Sequence, residues 1–378
     1  MKKILHISSW YPNKWDDLEG IFVKEQYKVF SEVTDGHMLN VQVREGEKLC
    51  RYVYVEYSEN EEGFYLFTRI KSQKIIELLT TFLFLYALYK VNFKKYDILH
   101  FHIAYPLLTY YSWWKRVIKI PLLISEHWSA YHFNFYMPWE TKKLDRMKGI
   151  FRQQIPIITV STSLLKDIQK FSNTKDFPTK VIPNVIDQKC FYFDESFVPN
   201  DIPTFFAVNN WRKIKNPFPM LEGFSKIHHK NIDFKLRLGG YGEELDKMKS
   251  FIEEQGFSNK VGFLGKMIKE EIASTLHKSD AYLFSSTYET FSVVCAQALV
   301  CGIPLLGPKL SAIEEYADDK AYLSLEENNA KEWSEKIESF IKHRDSYNRE
   351  KIADKTNAYL SNEKIAKQYR EILDEWFK

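Results

Sequence analysis

Along the first half of the chain, short apolar runs alternate with stretches whose apolar residues fall at helical spacing. Residues 4–8, 52–57, 64–70, 98–102, 122–125, 157–160 and 181–183 read as strands, and amphipathic segments such as 21–30 and 105–117 fill the intervals. That alternation predicts an α/β fold built on a doubly wound parallel sheet. Acidic residues with Pro199 and Pro203 break the rhythm over 191–203, where a linker is expected. A second series follows, with strands near 204–208, 234–238, 261–264, 281–284 and 303–306, and charged helical segments from 330 to 378. The expected division is therefore 1–190, a linker over 191–203, a second domain over 204–360, and a closing helix over 361–378.

One long apolar segment stands apart. Residues 75–93 carry Glu77 and Lys90 and are flanked by Lys71, Lys74, Lys94 and Lys95. Their uninterrupted apolar part falls short of the ~20 residues a membrane span needs. A helix packed on the sheet is the first reading; a helix lying on a membrane surface is the second. Trp113, Trp114, Lys115 and Arg116 form an aromatic and basic cluster that suits an interface or a helix end.

The chain of 378 residues exceeds what one core organises, and 45% hydrophobic residues suffice for two. A net charge of +3 without a long basic run excludes a general nucleic-acid binder. Cys50, Cys190, Cys295 and Cys301 form no Cys-x-x-Cys pair and have no histidine at zinc spacing, so reduced structural thiols are expected. The apolar run in residues 1–12 is too short for a signal peptide. A cytoplasmic protein, peripheral at the inner face of the membrane if it meets one, is the expectation.

The chemistry concentrates in SSTYETFSVVCAQALVCGIP, residues 285–304. A buried strand over 281–284 leads through an acidic turn into a helix that Gly302 and Pro304 end. Such a turn leaves backbone N–H groups and the positive dipole end at the C-terminal edge of a sheet, where a diphosphate can sit. Glu289 stands at that mouth, and Gln297 lies about two turns further along. Elsewhere, Gly20 opens a helix after the first strand, His100 and His102 read as core histidines, and Glu126, His127 and Ser129 end another strand. His127 can hydrogen bond a ligand or cap a helix. Lys215 sits in a strand-loop-helix context, and LRLGGYGEEL supplies Gly239, Gly240 and Gly242, a weak signal alone.

Glu289, seven residues, Gln297, a small-residue helix and the Gly302-x-Pro304 turn together resemble the Glu-x7-Glu signature of family 4 retaining glycosyltransferases. That family has the GT-B architecture, two facing Rossmann-like domains with the active site in the interdomain cleft. The resemblance extends over nearly the whole chain, in order, through Gly20, the 100–106 strand end, Glu126–His127–Ser129, the 181–187 turn, Lys215, the 239–242 glycines and the 261–266 strand. It departs where Gln297 replaces the second acid, where Asn209 or Asn210 replaces a diphosphate-binding Arg, and at 311–317, which lacks a Gly pair. The chain thus looks like a divergent member.

The resemblance implies a retaining transferase that moves a sugar from a nucleoside diphosphate to a hydroxyl of a cell-surface glycan or lipid-linked acceptor. His127 and Glu289 would be catalytic. Gly20, Arg212, Lys215, Gly240, Phe263, Leu264, Thr290, Phe291, Ser292, Val293 and Gln297 would bind donor, with the base near Phe263 and Leu264, the ribose at Gln297 and the diphosphate on Lys215 and the 291–293 amides. No cofactor is expected, and no Asp-x-Asp occurs, so no obligatory metal is expected either. The alternative is a GT-B-fold partner or regulatory subunit that binds nucleotide or glycan without turnover, suggested by the missing Arg and by Gln297. An epimerase or phosphorylase on a related fold is the weaker third reading.

Overall fold

The structure, a computed structural model, describes residues 1–136 and 141–378. The chain divides into two compact units, Met1–Val185 together with Asn362–Lys378, and Ile186–Ser361.

The first unit holds β1 (Lys3–Ser8), α1 (Ile21–Ser31), β2 (Asp35–Glu45), β3 (Arg51–Ser58), β4 (Glu61–Thr68), α2 (Gln73–Lys90), β5 (Ile98–His102), α3 (Tyr111–Trp114), β6 (Leu122–Glu126), α4 (Thr141–Phe151), β7 (Ile157–Thr159), α5 (Thr162–Ser172) and β8 (Thr179–Val181). Its strands form one sheet of order β3-β4-β2-β1-β5-β6-β7-β8. All neighbours are parallel except the antiparallel β3–β4 pair. β1 and β5 are buried almost end to end, as continuous apolar strands of a two-sided parallel sheet must be. On one face Ile4, Ile98 and Leu123 pack against Val29 and Phe30 of α1 and against Ile365, Tyr369 and Ile372 of the closing helix Asn362–Trp376.

Three expectations need correction here. β2 was not expected, because His37, Asn40 and Gln42 interrupt its apolar pattern; these side chains are nonetheless buried, and Asn40 donates to the Tyr65 hydroxyl at 2.9 Å. The helix expected over 105–117 is helical only at Tyr111–Trp114. Ahead of it the chain runs in turns, since Ile103 takes φ 72° and the Ala104 N–H bonds the Glu126 carboxylate rather than a helical carbonyl. β8 ends before Pro183, whose missing N–H cannot extend the ladder.

The second unit comprises β9 (Thr204–Asn210), α6 (Phe218–His229), β10 (Lys235–Tyr241), α7 (Leu245–Glu254), β11 (Val261–Gly265), α8 (Lys269–Leu276), β12 (Ala281–Leu283), α9 (Val293–Val300), β13 (Leu305–Pro308), α10 (Ser311–Glu314), β14 (Tyr322–Leu325), α11 (Ala330–His343) and α12 (Arg349–Leu360). Its all-parallel sheet has the order β11-β10-β9-β12-β13-β14. With the first strand central, the order reverses between β9 and β12, the doubly wound pattern of nucleotide-binding folds. Phe205, Trp211, Phe224, Leu283 and Trp333 centre its core. Residues 191–203, expected as a linker, lie inside this unit: Phe191 is buried, the Tyr192 carbonyl accepts from His277, and Asn200 donates to Asp280 at 2.9 Å. Among the described residues no helix is long and apolar enough to cross a membrane.

Candidate active site

In an open parallel sheet, ligands bind beyond the strand C-termini where the strand order reverses. In the second unit that point lies between the loops leaving β9 and β12, and both carry the residues the sequence singles out. Lys215, from the β9 loop, places its ammonium 2.6 Å from Glu289 Oε1, from the β12 loop. Ser286 Oγ donates to the same carboxylate oxygen at 2.6 Å. The two loops are sewn together behind the pair by Ser285 Oγ donating to the Lys215 carbonyl at 2.6 Å and by Thr287 N–H donating to the Ile214 carbonyl at 3.0 Å. Lys215 and Glu289 are both partly buried, so their attraction is less screened than that of a surface pair.

Beyond Glu289 the chain turns sharply into α9. Ser292 is its N-cap at φ 64° and ψ 84°, a left-handed conformation that costs a side-chain-bearing residue roughly 1 kcal/mol. Tyr316 holds the turn by donating to the Phe291 carbonyl at 2.6 Å, leaving the amides on the other side. The Phe291 side chain is buried, so only its backbone is available, whereas Thr290, Ser292 and Val293 are half-buried at the helix entrance. Among the described residues no acceptor takes the N–H of Phe291 or Ser292. Further along α9, Gln297 Oε1 is buried without a hydrogen-bond partner. An orphaned buried acceptor costs about 1–3 kcal/mol, so a donor reaching it would be favoured.

The remaining second-unit residues gather less closely. Arg212 is exposed beside the Asn210 turn. Phe263 packs partly on the core with Lys249 over its ring at 5.8 Å, and Leu264 is exposed at the end of the edge strand β11. Gly240 is buried at φ 104°, and an added Cβ would fall 1.8 Å from the Asn209 carbonyl oxygen. Its glycine is thus required by the close approach of the chain's own strand β9.

The first unit has its own reversal, between β1 and β5, with β6 next to β5. Gly20 follows β1 at φ 61°, and a Cβ there would sit 2.2 Å from the Trp10 carbonyl oxygen. The close approach it permits is to Trp10, again a contact within the chain. It lets α1 start so that Phe22 meets His127, ring centroids 4.8 Å apart. His127 is buried, and its Nδ1 lies 3.0 Å from Asn184 Oδ1. An amide oxygen only accepts, so Nδ1 carries the proton and Nε2, buried and unpartnered, keeps its lone pair. Burial lowers the His127 pKa to about 4, which keeps the imidazole neutral near pH 7.

Glu126 was named in the sequence without a role, and the structure gives it one. Its Oε1 accepts from the Ala104 N–H at 2.7 Å and from the Tyr131 hydroxyl at 2.6 Å. It therefore ties the loop after β5 to the loop that carries His127. Burial raises its pKa to about 7 despite these donors. Asn184, Ser286 and Tyr316 are further supporting residues, and sequence reasoning gave none of them a role. Asn184 lay in a turn explicable by turn chemistry alone, and Tyr316 gave no signal.

Behind His127 runs a buried histidine row. His6 Nδ1 lies 3.1 Å from His102 Nε2, while His100 bonds the Tyr369 hydroxyl at 2.9 Å and Ser125 at 2.8 Å. His6, His100 and His102 bring ligand atoms within 4.8 Å of one another, the one such group among the described residues. His100 spends both nitrogens on oxygen partners and no carboxylate belongs to the group, so these rings fit a hydrogen-bonded core better than a divalent cation.

Residues 189–357 match the family described as Glycosyl transferases group 1, and residues 51–189 match Glycosyltransferase Family 4. The chain belongs to the family 4 glycosyltransferases. The GT-B fold is shared with a sucrose-phosphate synthase from Thermosynechococcus elongatus, at TM-score 0.79 and 17% identity over 100% of this chain and 99% of that one. It is likewise shared with Anabaena HepE in complex with UDP and glucose, at TM-score 0.74 and 14% identity over 99% of this chain and all of that one. In sequence, the N-acetyl-alpha-D-glucosaminyl L-malate synthase of Bacillus anthracis is 26% identical over 245 residues, 61% of this chain. The chain spans 61% of that relative's length.

Proposed function

We propose that this family 4 glycosyltransferase moves a sugar, with retention, from a nucleoside diphosphate to a hydroxyl of a cell-surface glycan or a lipid-linked acceptor. The observation that carries the reading is the Lys215–Glu289 pair at the strand-order reversal of the second unit, beside the amide entrance of α9. A donor diphosphate is a stronger anion than one carboxylate, so it would draw Lys215 from Glu289 and lie against the α9 amides. Glu289, released, would accept hydroxyls of the transferred sugar. Arg212, exposed on the same loop, would stand in for the family's missing Arg as a second cation.

Gln297 Oε1 would accept from a ribose hydroxyl, which answers its lack of a protein donor. β11 lies two strands from β9, roughly 10 Å at the usual strand spacing, within reach of a base when the diphosphate is on Lys215. In the first unit, His127 Nε2, buried with its lone pair unpartnered, would accept from a sugar hydroxyl. In the transfer itself, the anomeric carbon–oxygen bond to phosphate breaks and the acceptor oxygen bonds the same face. The acceptor's proton passes to the departing phosphate oxygen, and Lys215 with the α9 amides stabilises the charge developing there. An acceptor on a lipid would be met peripherally at the inner face of the membrane.

A screen of nucleotide sugars for transfer to water or to simple glycosides tests the activity. Release of nucleoside diphosphate from at least one donor supports it; saturable nucleotide binding with no turnover across the panel points to the non-catalytic reading. Gln297 offers a finer check. Gln297→Glu is expected to tighten nucleoside diphosphate binding about fivefold, since a carboxylate can accept from both ribose hydroxyls. Calorimetry reads this directly, and unchanged affinity would place the ribose elsewhere.

A further inference from the structure

The first unit exposes an aromatic face unlike the rest of its surface. On α2, Ile75, Phe82, Tyr86 and Tyr89 recur at spacings of seven, four and three residues, which sets them along one stripe. This stripe is turned outward: Phe82 is 56% exposed and Tyr89 76%. Next to it, Trp113 and Val117 are 54% and 81% exposed. The two elements form one patch, because the Phe82 and Trp113 rings meet edge to face at 5.8 Å. Monomeric proteins rarely leave so many large apolar side chains together without a use for them.

Along α2 and the segment 111–120 the exposed charge has one sign, with Glu62 the acid nearest the Tyr52 side of Tyr86. Lys74 and Lys90 at the ends of α2, with Lys71, Lys94 and Lys95 flanking it, are all exposed. Arg116 and Lys119 are exposed beyond Trp113, and Lys115 is half-buried. Glu77 is the one acidic residue between 71 and 95, and it is buried in an ion pair with Lys143; residues 111–120 contain none. Lys90 lies 5.5 Å from the Tyr86 ring, so cation and aromatic are presented together.

We infer that this face of α2 and the Trp113–Lys119 segment docks the protein on an anionic lipid bilayer. Its chemistry matches an interface in both layers. Tyr and Trp pair an apolar ring with a polar tip suited to headgroup depth, and the surrounding cations meet acidic headgroups. α2 is not a span, so the docking is peripheral. This deepens the reading of a lipid-linked acceptor, but vesicle binding requires neither donor nor acceptor. A failure here leaves the transferase reading standing, and a failed transfer assay leaves this one standing.

The experiment is flotation of the full chain with phosphatidylcholine vesicles, with and without about one quarter phosphatidylglycerol, at low and high salt. The inference expects binding to the anionic vesicles only, weakened by salt. Lys90→Glu with Arg116→Glu should weaken it at least thirtyfold, taking roughly 1 kcal/mol per basic residue near such a surface. Phe82→Ser with Trp113→Ser should weaken it about tenfold. Both pairs are exposed, so melting temperature and turnover on a soluble acceptor should stay at the wild-type values. Absence of vesicle binding, equal binding to neutral vesicles, or full binding by the serine pair overturns the inference. A concentration-dependent dimer abolished by Phe82→Ser would instead assign the face to a second copy of the chain.

Discussion

Replacing Glu289 by alanine is expected to cut turnover by more than about tenfold while leaving nucleoside diphosphate affinity unchanged or tighter. The split follows from the geometry of the empty-handed site. Glu289 Oε1 holds both the Lys215 ammonium and the Ser286 hydroxyl, each at 2.6 Å. A diphosphate must compete with that carboxylate for Lys215, so removing the carboxylate removes a competitor. What the variant lacks is the acceptor group for the transferred sugar, and its misplacement appears in kcat rather than in nucleotide affinity. Initial rates with the best donor, set beside calorimetry with the matching nucleoside diphosphate, separate the two. Near-normal turnover would remove Glu289 from the reaction, and a parallel loss of nucleotide affinity would make it a binding group only.

The second large effect is on stability, and it is driven by pH. Burial lowers the His6 pKa to about 3 and the His127 pKa to about 4, and it keeps His100 and His102 well below 6.5. In the unfolded chain they would titrate near 6.5. The folded values lie below the unfolded ones, so the histidines' contribution to stability is complete above about pH 6.5 and is lost as pH falls towards 4. Glu126 has the opposite sign. Its pKa rises from 4.5 to about 7 on folding, so its contribution is complete below about 4.5 and is lost as pH rises through 7.

Each group is worth up to about 1.4 kcal/mol per pH unit, and the histidines outnumber the carboxyl four to one. The histidines' sign prevails over the carboxyl's between pH 7 and pH 5. The first unit is therefore expected to melt at markedly lower temperature at pH 5 than at pH 7. Calorimetric scans across that range check this, and a level melting temperature would mean that the row is hydrated or already charged.

How much of this could be read beforehand depended on whether partners were local. β1, β5, β9 and β12 are legible as largely apolar runs because both faces of their sheets are covered. β2 was hidden because its polar side chains are buried against distant residues such as Tyr65, 25 positions away from Asn40. β14 is four residues long between charged flanks, too short for a periodic signal. Within the site, the Glu289-to-Gly302 turn and helix were legible because they are contiguous. The Lys215–Glu289 pair spans 74 positions and the His127–Asn184 bond 57, so neither pairing was visible although three of the four residues were singled out. Gly20 and Gly240 stand out in the sequence as donor-side glycines; only coordinates reveal that Trp10 and Asn209 occupy the space a Cβ would need.

The central claim is that the second unit grips a donor's diphosphate between Lys215 and the amide entrance of α9. Titration of nucleoside diphosphates into the wild-type chain and into Lys215→Ala, followed by calorimetry, addresses it most directly. At least one nucleoside diphosphate should bind the wild type, and Lys215→Ala should bind it more than about tenfold more weakly, the loss of one charge-assisted contact to phosphate. Equal affinity in the two proteins would contradict the account.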